Sequence, residues 1–510
     1  MKKQHDHVFR SAAAVVACAT AATVAVGCSP PRSSATAKGI TVAETSAPTT
    51  LDPQGSSYFS DRFAWQLSYQ CLLTTTPEGK VEPQLATGYK RSADGLTYTF
   101  DLRPGVKFQN GETLTADDVA YTFDRLKRSP DGIAEELFPT LEKATATGDS
   151  TVAFHLKRPD AGFVNNMANP LVWGCAVMNK KAATSENMAT RMVGTGPWAQ
   201  ESYRPNSELR LKRFTGYWDR KTASENLSIL YVPGASTQVS DLQAGAVDLI
   251  FTGTSSARTL SGSDKFDVKN VPTDSTIFLQ VNNLTKPFDN VKVRQALALA
   301  LDRDSLAEQA YSGGGARASV YIPGGESWAP APADVPYSTP NIAKAKELLK
   351  EAGHPDGFSA PLMYISGYDP GTNDLVAAVQ NQLAKVGIKI QLDPQERGTW
   401  GDKLTSAQYA LSWNAQSYYS NPYQYVQPAE GRQGPVPDAL RKLLEAAQHA
   451  GDQTAYQQAL IAVENWEAEN VYPTLTLLAT NTLVAYRKGL SGVEMPPSQS
   501  RAFLAQVSRG

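Results

Sequence analysis

Apolar residues along the chain keep two interleaved rhythms, one of period two and one near 3.6, which predicts strands alternating with amphipathic helices. After the Asp94-Gly95 turn, Leu96, Tyr98, Phe100 and Leu102 share one face of a strand, and Val152, Phe154 and Leu156 alternate in another. Between them Thr115 is placed to cap a helix. Its hydroxyl can accept from the free first-turn amides while Asp118 completes the box, and Val119, Phe123 and Leu126 form the buried stripe. Thr339-Pro340 reads as an N-cap followed by a first-turn proline, with Ile342, Ala345 and Leu349 on the apolar face and Gly353 as the left-handed stop. A helix from about Thr372 buries Leu375, Val379, Leu383 and Val386, ends at Gly387 and feeds the strand Ile388–Leu392. Similar helices are expected near Asn290–Leu301 and Asp452–Asn470, and the run Tyr472–Leu478 reads as a further strand. The fold class is therefore α/β, with no internal repeat.

A chain of 510 residues exceeds one ordinary domain and implies roughly two to four compact units or one large bilobal body. Hydrophobic residues at 41% and charged residues at 19% describe a globular body with neither the polarity of disorder nor the apolar runs of an integral membrane protein. Setting aside residues 1–27 removes three cations (Lys2, Lys3, Arg10) and one anion (Asp6), and moves the net charge from −2 to −4. Nothing basic enough for nucleic acid remains.

Those first residues have their own pattern. The basic positions precede an Ala/Val-rich run from Ser11 to Gly27, short for a span, which ends in small residues at Ala25 and Gly27 directly before Cys28. A polar, Pro/Ser-rich stretch, Ser29–Thr36, follows as a tether within residues 28–39. Ala25-Val26-Gly27-Cys28 resembles a bacterial lipobox, which would make Cys28 a lipidated N-terminus. An ordinary signal peptide or an uncleaved anchor are the other readings. Cys18 leaves with the signal, so Cys71 and Cys175 remain; a bridge and two separate buried thiols both stay open, and neither cysteine sits in a CxxC motif.

Catalytic machinery is absent from the sequence, with no GxSxG elbow, no HExxH and no Walker A motif. His155, His354 and His449, which survive signal removal, are far apart and not at metal-ligand spacing, so neither a metal nor a cofactor is expected. Gly194-Thr195-Gly196-Pro197-Trp198-Ala199 fits GxGxxG/A, but Pro197 cannot donate an amide to a phosphate and the residues ahead form no strand. Gly313-Gly314-Gly315 lacks the following Lys-Ser/Thr of a phosphate cradle. The chain is not read as an enzyme.

Seven segments carry a resemblance. They are Thr50-Leu51-Asp52-Pro53, the run Val81–Leu126, Val193-Gly194-Thr195-Gly196-Pro197-Trp198, Gly216-Tyr217-Trp218 with Leu242–Asp248, Pro287–Leu297, and Leu348–Gly353. In this order, over nearly all of residues 40–490, the chain resembles the peptide/nickel group, family 5, of extracellular solute-binding proteins of ABC importers. The resemblance implies a bilobal, periplasmic-binding-protein-like fold with an extra third domain, of the cluster C type. Lobe I would comprise 40–70, 194–270 and 475–510, the extra domain 71–193, and lobe II 271–474. The crossings near Val271–Ser275 and Pro473–Thr480 would be the hinge.

It also implies a solute held between the lobes, most simply an oligopeptide, and delivered by hinge closure to the permease and ATPase subunits of an importer. The protein would be a monomer, exported and held by its lipid to the outer face of the cell membrane. An oligosaccharide or another neutral solute is the alternative cargo; a sensory receptor of the same fold and a secreted hydrolase are further alternatives. Family members contact solute from a loop after a lobe II strand, here Ala410–Pro422. Trp413, Asn414, Gln416, Ser417, Tyr418 and Tyr419 are its candidate contacts, with Tyr58 and Phe59 opposite and Trp400 as a further one. Dipeptide-binding relatives place an Asp three residues after the Trp and an Arg ahead of the preceding helix. This chain has Gln416 and Ser366 there, so that clamp is missing, and Asp369 and Arg397 are the neighbours able to replace it. Leu51-Asp52-Pro53 is expected to be a structural turn, and the glycines of Gly194–Pro197 to serve a crossing between domains.

Overall fold

The computed structural model describes residues 39–55, 59–76, 80–129, 137–168, 173–253, 259–311, 315–316, 334–366, 368, 371–417, 434–496 and 500–510, with only the backbone of Phe59, Trp173, Pro272, Asp274, Gly315, Ala316, Gln416 and Ser417. The described chain starts with strand β1 (Gly39–Glu44) and helix α1 (Phe59–Trp65). Strands β2 (Ala86–Arg91), β3 (Thr97–Leu102), β4 (Leu141–Gly148) and β5 (Thr151–Leu156) form an antiparallel sheet in the order β2-β3-β5-β4, covered by α2 (Ala116–Lys127). Then come β6 (Trp198–Arg204), β7 (Glu208–Arg213), β8 (Asn226–Tyr231), β9 (Leu249–Thr252) and the long β10 (Phe266–Val281). Helices α3 (Val291–Ala300), α4 (Arg303–Tyr311) and α5 (Ile342–Glu351) lead into β11 (Phe358–Ile365), α6 (Thr372–Ala384), β12 (Ile388–Gln395), α7 (Arg397–Thr405) and β13 (Leu411–Ser417). Helices α8 (Asp438–Gln448) and α9 (Gln453–Asn470) precede β14 (Thr474–Arg487). The named strands outside the four-stranded sheet join one large sheet, in the order β12-β11-β13-β10-β14-β9-β1-β8-β7-β6.

Local chemistry explains the boundaries. Thr115 and Asp118 form the expected capping box: the Asp118 amide donates to the Thr115 side chain, and the Thr115 amide donates to Asp118 Oδ2 at 3.0 Å. At α5 the cap is Asn341 and not Thr339. Asn341 Oδ1 accepts from the Lys344 amide at 3.0 Å, which leaves Pro340 one residue outside the helix. Gly353 stops that helix at φ +88°, where a side chain would be strained. The strand expected at Tyr472–Leu478 begins at Thr474 and continues to Arg487, because the polar run Thr480-Asn481-Thr482 crosses between two apolar cores and is not a loop.

The first core gathers Ile40 and Val42, most buried side chains of the four-stranded sheet and α2, and Leu209, Leu227, Val484 and Phe503. Phe123 and Phe154 meet edge-on at 4.8 Å within it, and Phe100 meets Phe154 at 5.3 Å. Cys71 and Cys175 are joined by a disulfide across 104 residues, with Cα atoms 5.2 Å apart. The second core holds Ile277, Leu279 and Val281 of β10, Leu475 and Leu477 of β14, Leu411 and Trp413 of β13, and the apolar stripes of α3, α5 and α6.

Strands β10 and β14 belong to both cores, and their pairing breaks between them. Pro272 pairs with Asn481 and the next partners are Thr276 and Ala479, so Thr273–Ser275 bulge opposite Thr480. Thr273 Oγ1 donates to the Thr480 carbonyl at 2.8 Å and lies 2.7 Å from its hydroxyl. A second contact joins α8–α9 to the antiparallel sheet: the Ala161 amide donates to the Gln448 carbonyl at 2.9 Å, and Arg91 to the Ala450 carbonyl at 2.6 Å. Tyr456, Leu460, Ala447 and Ala161 pack there.

Candidate functional site

Strands β11, β12 and β13 are parallel, with β11 in the middle. Each crossover must return over the sheet, so α6 and α7 start where β11 and β12 end. Helix α6 buries Leu375, Val379 and Leu383 in the second core, whereas Leu404 of α7 packs with Met363 and Tyr409. Met363 lies between Leu362 and Tyr364, which face the second core, so the two helices cover opposite faces. Open α/β sheets carry ligands at the carboxyl ends of their parallel strands. Here that edge is formed by Ser366 and Tyr368 after β11, Gln395–Arg397 after β12, and the end of β13.

Tyr368 is 41% exposed, one of two large apolar side chains so exposed among the described residues. Its ring meets the Trp413 ring at 5.0 Å in an edge arrangement. The Arg397 guanidinium sits 5.3 Å from the centre of the Tyr368 ring. Below them Trp413 is 1% exposed and its Nε1–H has no acceptor among the described residues. Beside them, the Ser366 amide donates to the Gln395 carbonyl at 3.4 Å, tying the ends of β11 and β12 together.

The residues expected from sequence fall in different places. Trp413 and Asn414 belong to strand β13 itself and not to a loop, because Leu411–Ser417 pairs along β10 through Val281–Ser275. Alternation turns Trp413 into the second core, and Asn414, half-buried, to the other face. Gln416 and Ser417 end the strand. Trp400 lies half-buried on α7, donating from Nε1 to Ser412 Oγ at 3.1 Å and packing on the Met363–Tyr409 cluster, so it braces the sheet. Phe59 opens α1. Tyr58, Tyr418, Tyr419, Asp369 and Cys28 lie outside the described residues. Tyr368 was not singled out from sequence; a signal existed in its place directly after a strand and before a helix.

The GxGxxG decoy has a packing reason. A Cβ at Gly194 or Gly196 would collide with the Ser68 carbonyl, so these glycines permit a close backbone approach. Asp52, in the Leu-Asp-Pro turn, is ion-paired to Arg125. Among the described residues no group of three or more His, Cys, Asp or Glu is placed to hold a metal ion.

The model of the family described as bacterial extracellular solute-binding proteins, family 5 Middle, matches residues 80–435. The chain belongs to this family. Among family 5 relatives, the glutathione-binding protein GsiB of Salmonella typhi is 33% identical over 369 residues, 71% of this chain and 70% of that protein. Two solved family 5 structures share its fold. The periplasmic binding protein DppA of Helicobacter pylori, in complex with peptide STSA, superposes with a TM-score of 0.76 at 22% identity, over 92% of this chain and 97% of that one. NikA of Brucella suis, in complex with Fe(III)-EDTA, superposes with a TM-score of 0.79 at 22% identity, over 92% and 100%. The expected bilobal family fold is thus the observed one, and no helix among the described residues is long and apolar enough to cross a membrane.

Proposed function

We propose that this protein is the solute-capturing receptor of an ABC importer, that it carries a peptide-like solute, and that it delivers it to the permease by closing two lobes about the β10–β14 pair. The observation that carries this reading is the break in that pair at Thr273–Ser275, lying between two separate apolar cores. Two strands interrupted by a bulge bend more easily than either core deforms, so motion concentrates there. The lobe boundaries we assign are 40–70, 194–270 and 475–510 for lobe I, 71–193 for the extra domain and 271–474 for lobe II. A solute shifts the equilibrium toward closure only through contacts that the open form lacks.

Glutathione and a short peptide are the ligands named for GsiB and for DppA, which favours a peptide-like cargo over an oligosaccharide. We assign solute contact to the carboxyl edge of β11–β13, including Asn414, Gln416, Ser417, Tyr418 and Tyr419, with Tyr58 and Phe59 from the facing lobe; Trp413 and Trp400 support that edge from beneath. The protein acts without chemical turnover, as a monomer, on the outer face of the membrane through lipid on Cys28.

Small-angle scattering and thermal shift with peptide, sugar and metal-chelate panels test the reading. A cognate peptide at ~100 times its dissociation constant should stabilise the protein by roughly 2.7 kcal/mol and shrink its radius of gyration. Tight binding of a sugar alone, or conversion of any bound compound, would refute it.

A further inference from the structure

We infer that the tip of the α8–α9 hairpin is a latch, which holds lobe II to the extra domain when the lobes are closed and must let go for them to open. This rests on the hinge reading above and names the contact that regulates it. The two ends of the hairpin are fastened to different bodies, and unequally.

The turn between α8 and α9 meets the antiparallel sheet, which shares the first core with β1, β7 and β8 and so moves with lobe I. The carbonyl of Gln448, the last residue of α8, accepts from the Ala161 amide at 2.9 Å. Gln453 Nε2, at the first position of α9, donates to the Ala161 carbonyl at 3.4 Å. Arg91, at the end of β2, donates to the Ala450 and Gly451 carbonyls at 2.6 and 3.2 Å, and its charge faces the negative end of the α8 dipole. The receiving loop is held fixed from within. Asp160 is 3% exposed, its carboxyl accepts from Thr140 Oγ1 at 2.8 Å and from the Gly162 amide at 3.0 Å, and Tyr98 Oη donates to its carbonyl at 2.9 Å.

The far end of α9 is fastened to lobe II. Arg294 of α3, 7% exposed, donates to the Asn470 and Val471 carbonyls at 3.0 and 3.1 Å and to the Phe288 carbonyl at 2.9 Å. Gln295 donates to the Glu469 carbonyl at 2.8 Å. Pulling this end away would strand a buried guanidinium without its acceptors, which is costly. At the tip the packed side chains are mostly small, Ala161, Ala447 and Ala450 around Tyr456 and Leu460, and the hydrogen bonds join groups that water can solvate in their place. The tip is therefore the end that yields.

Leverage makes the contact all-or-none. Helix α9 has 18 residues, so about 27 Å separates the two fastenings. Rotating such a rod by about 10° carries its far end through roughly 5 Å, more than any hydrogen bond at the tip can follow. A small opening at Thr273–Ser275 thus breaks the whole tip contact together. Because the latch stabilises the closed form by itself, the free protein already populates closure, and the solute has less of the equilibrium left to shift.

The experiment measures distances between paired spin labels in the solute-free full chain by double electron–electron resonance. Labels on Lys143→Cys and Glu445→Cys span the tip, those on Lys346→Cys and Glu445→Cys stay within lobe II, and those on Lys212→Cys and Lys346→Cys span the lobes; all four positions are exposed. Each pair is placed in the otherwise unaltered chain, in Arg91→Gln and in Ala447→Glu. The last two remove the contact from opposite sides, so if one fails to fold the other decides. In them the fraction of molecules with the 143–445 distance lengthened by ~5 Å or more should rise at least about threefold. The 212–346 distance should lengthen with it, and the 346–445 distance should stay unchanged. Identical 143–445 distributions in all three chains overturn the latch, as does a 346–445 distance that lengthens while 143–445 is kept, which would make the hairpin part of the extra domain. The hinge reading stands in either case if the 212–346 distance takes more than one value. It fails too if that distance is single and narrow in every chain, with and without a saturating pool of tripeptides.

Discussion

Replacing Glu467 by glutamine should stabilise this protein, increasingly so as pH rises. Glu467 lies on α9, is 0% exposed, and neither of its carboxyl oxygens has a partner among the described residues. Burial, and then the charge of Glu464 one turn earlier, holds its carboxyl well above the ordinary glutamate range. The folded state thus prefers the neutral acid, whereas the unfolded chain ionises at the usual pH. For a raised folded-state value, the stability is fully present below the unfolded value and is lost as pH rises toward the folded one. One group releasing one proton, with no cation to offset it, gives a slope of about 1.4 kcal/mol per pH unit across that window. Glu467→Gln keeps the shape and cannot ionise. Urea unfolding followed by circular dichroism at pH 5, 6 and 7 should show the variant's advantage growing from each pH to the next. A gap constant with pH, or a variant less stable at pH 7, would refute the argument.

Other expectations follow from particular contacts. Removing the Cys71–Cys175 bridge frees a loop of 104 residues, so Cys71→Ser with Cys175→Ser should cost about 4–5 kcal/mol in the same urea assay. Trp413→Ala empties a fully buried site of the second core and should cost ~3–5 kcal/mol, measured by the unfolding midpoint. A Cβ at residue 194 meets a carbonyl and not a side chain that could swing aside, so Gly194→Ala should lose stability toward the upper end of the ~1–3 kcal/mol typical of overpacking, read as a drop in melting temperature.

Elements whose information is local were legible in advance. The Thr115–Asp118 box, the Gly353 stop, the α6-to-β12 unit and the alternating strands β3 and β5 need only neighbours within a few residues, and all are found where the pattern puts them. The cap of α5 moved by two residues because Thr339 and Asn341 are both capable caps, and packing of the helix start on Leu299, whose carbonyl accepts from the Asn341 amide at 2.8 Å, selects the second. Strand β14 outran its expected end because its polar middle is invisible as strand until β10 is beside it.

The sequence alone determined the alternation of helix and strand and the family, since these depend on residue order and spacing. Tertiary structure decided that Cys71 and Cys175 are bridged, that Trp413 turns inward while Tyr368 stays out, and that Arg397 lies over that ring. Each of these is a contact between residues that chain topology brings together, so no periodicity in either segment could encode it.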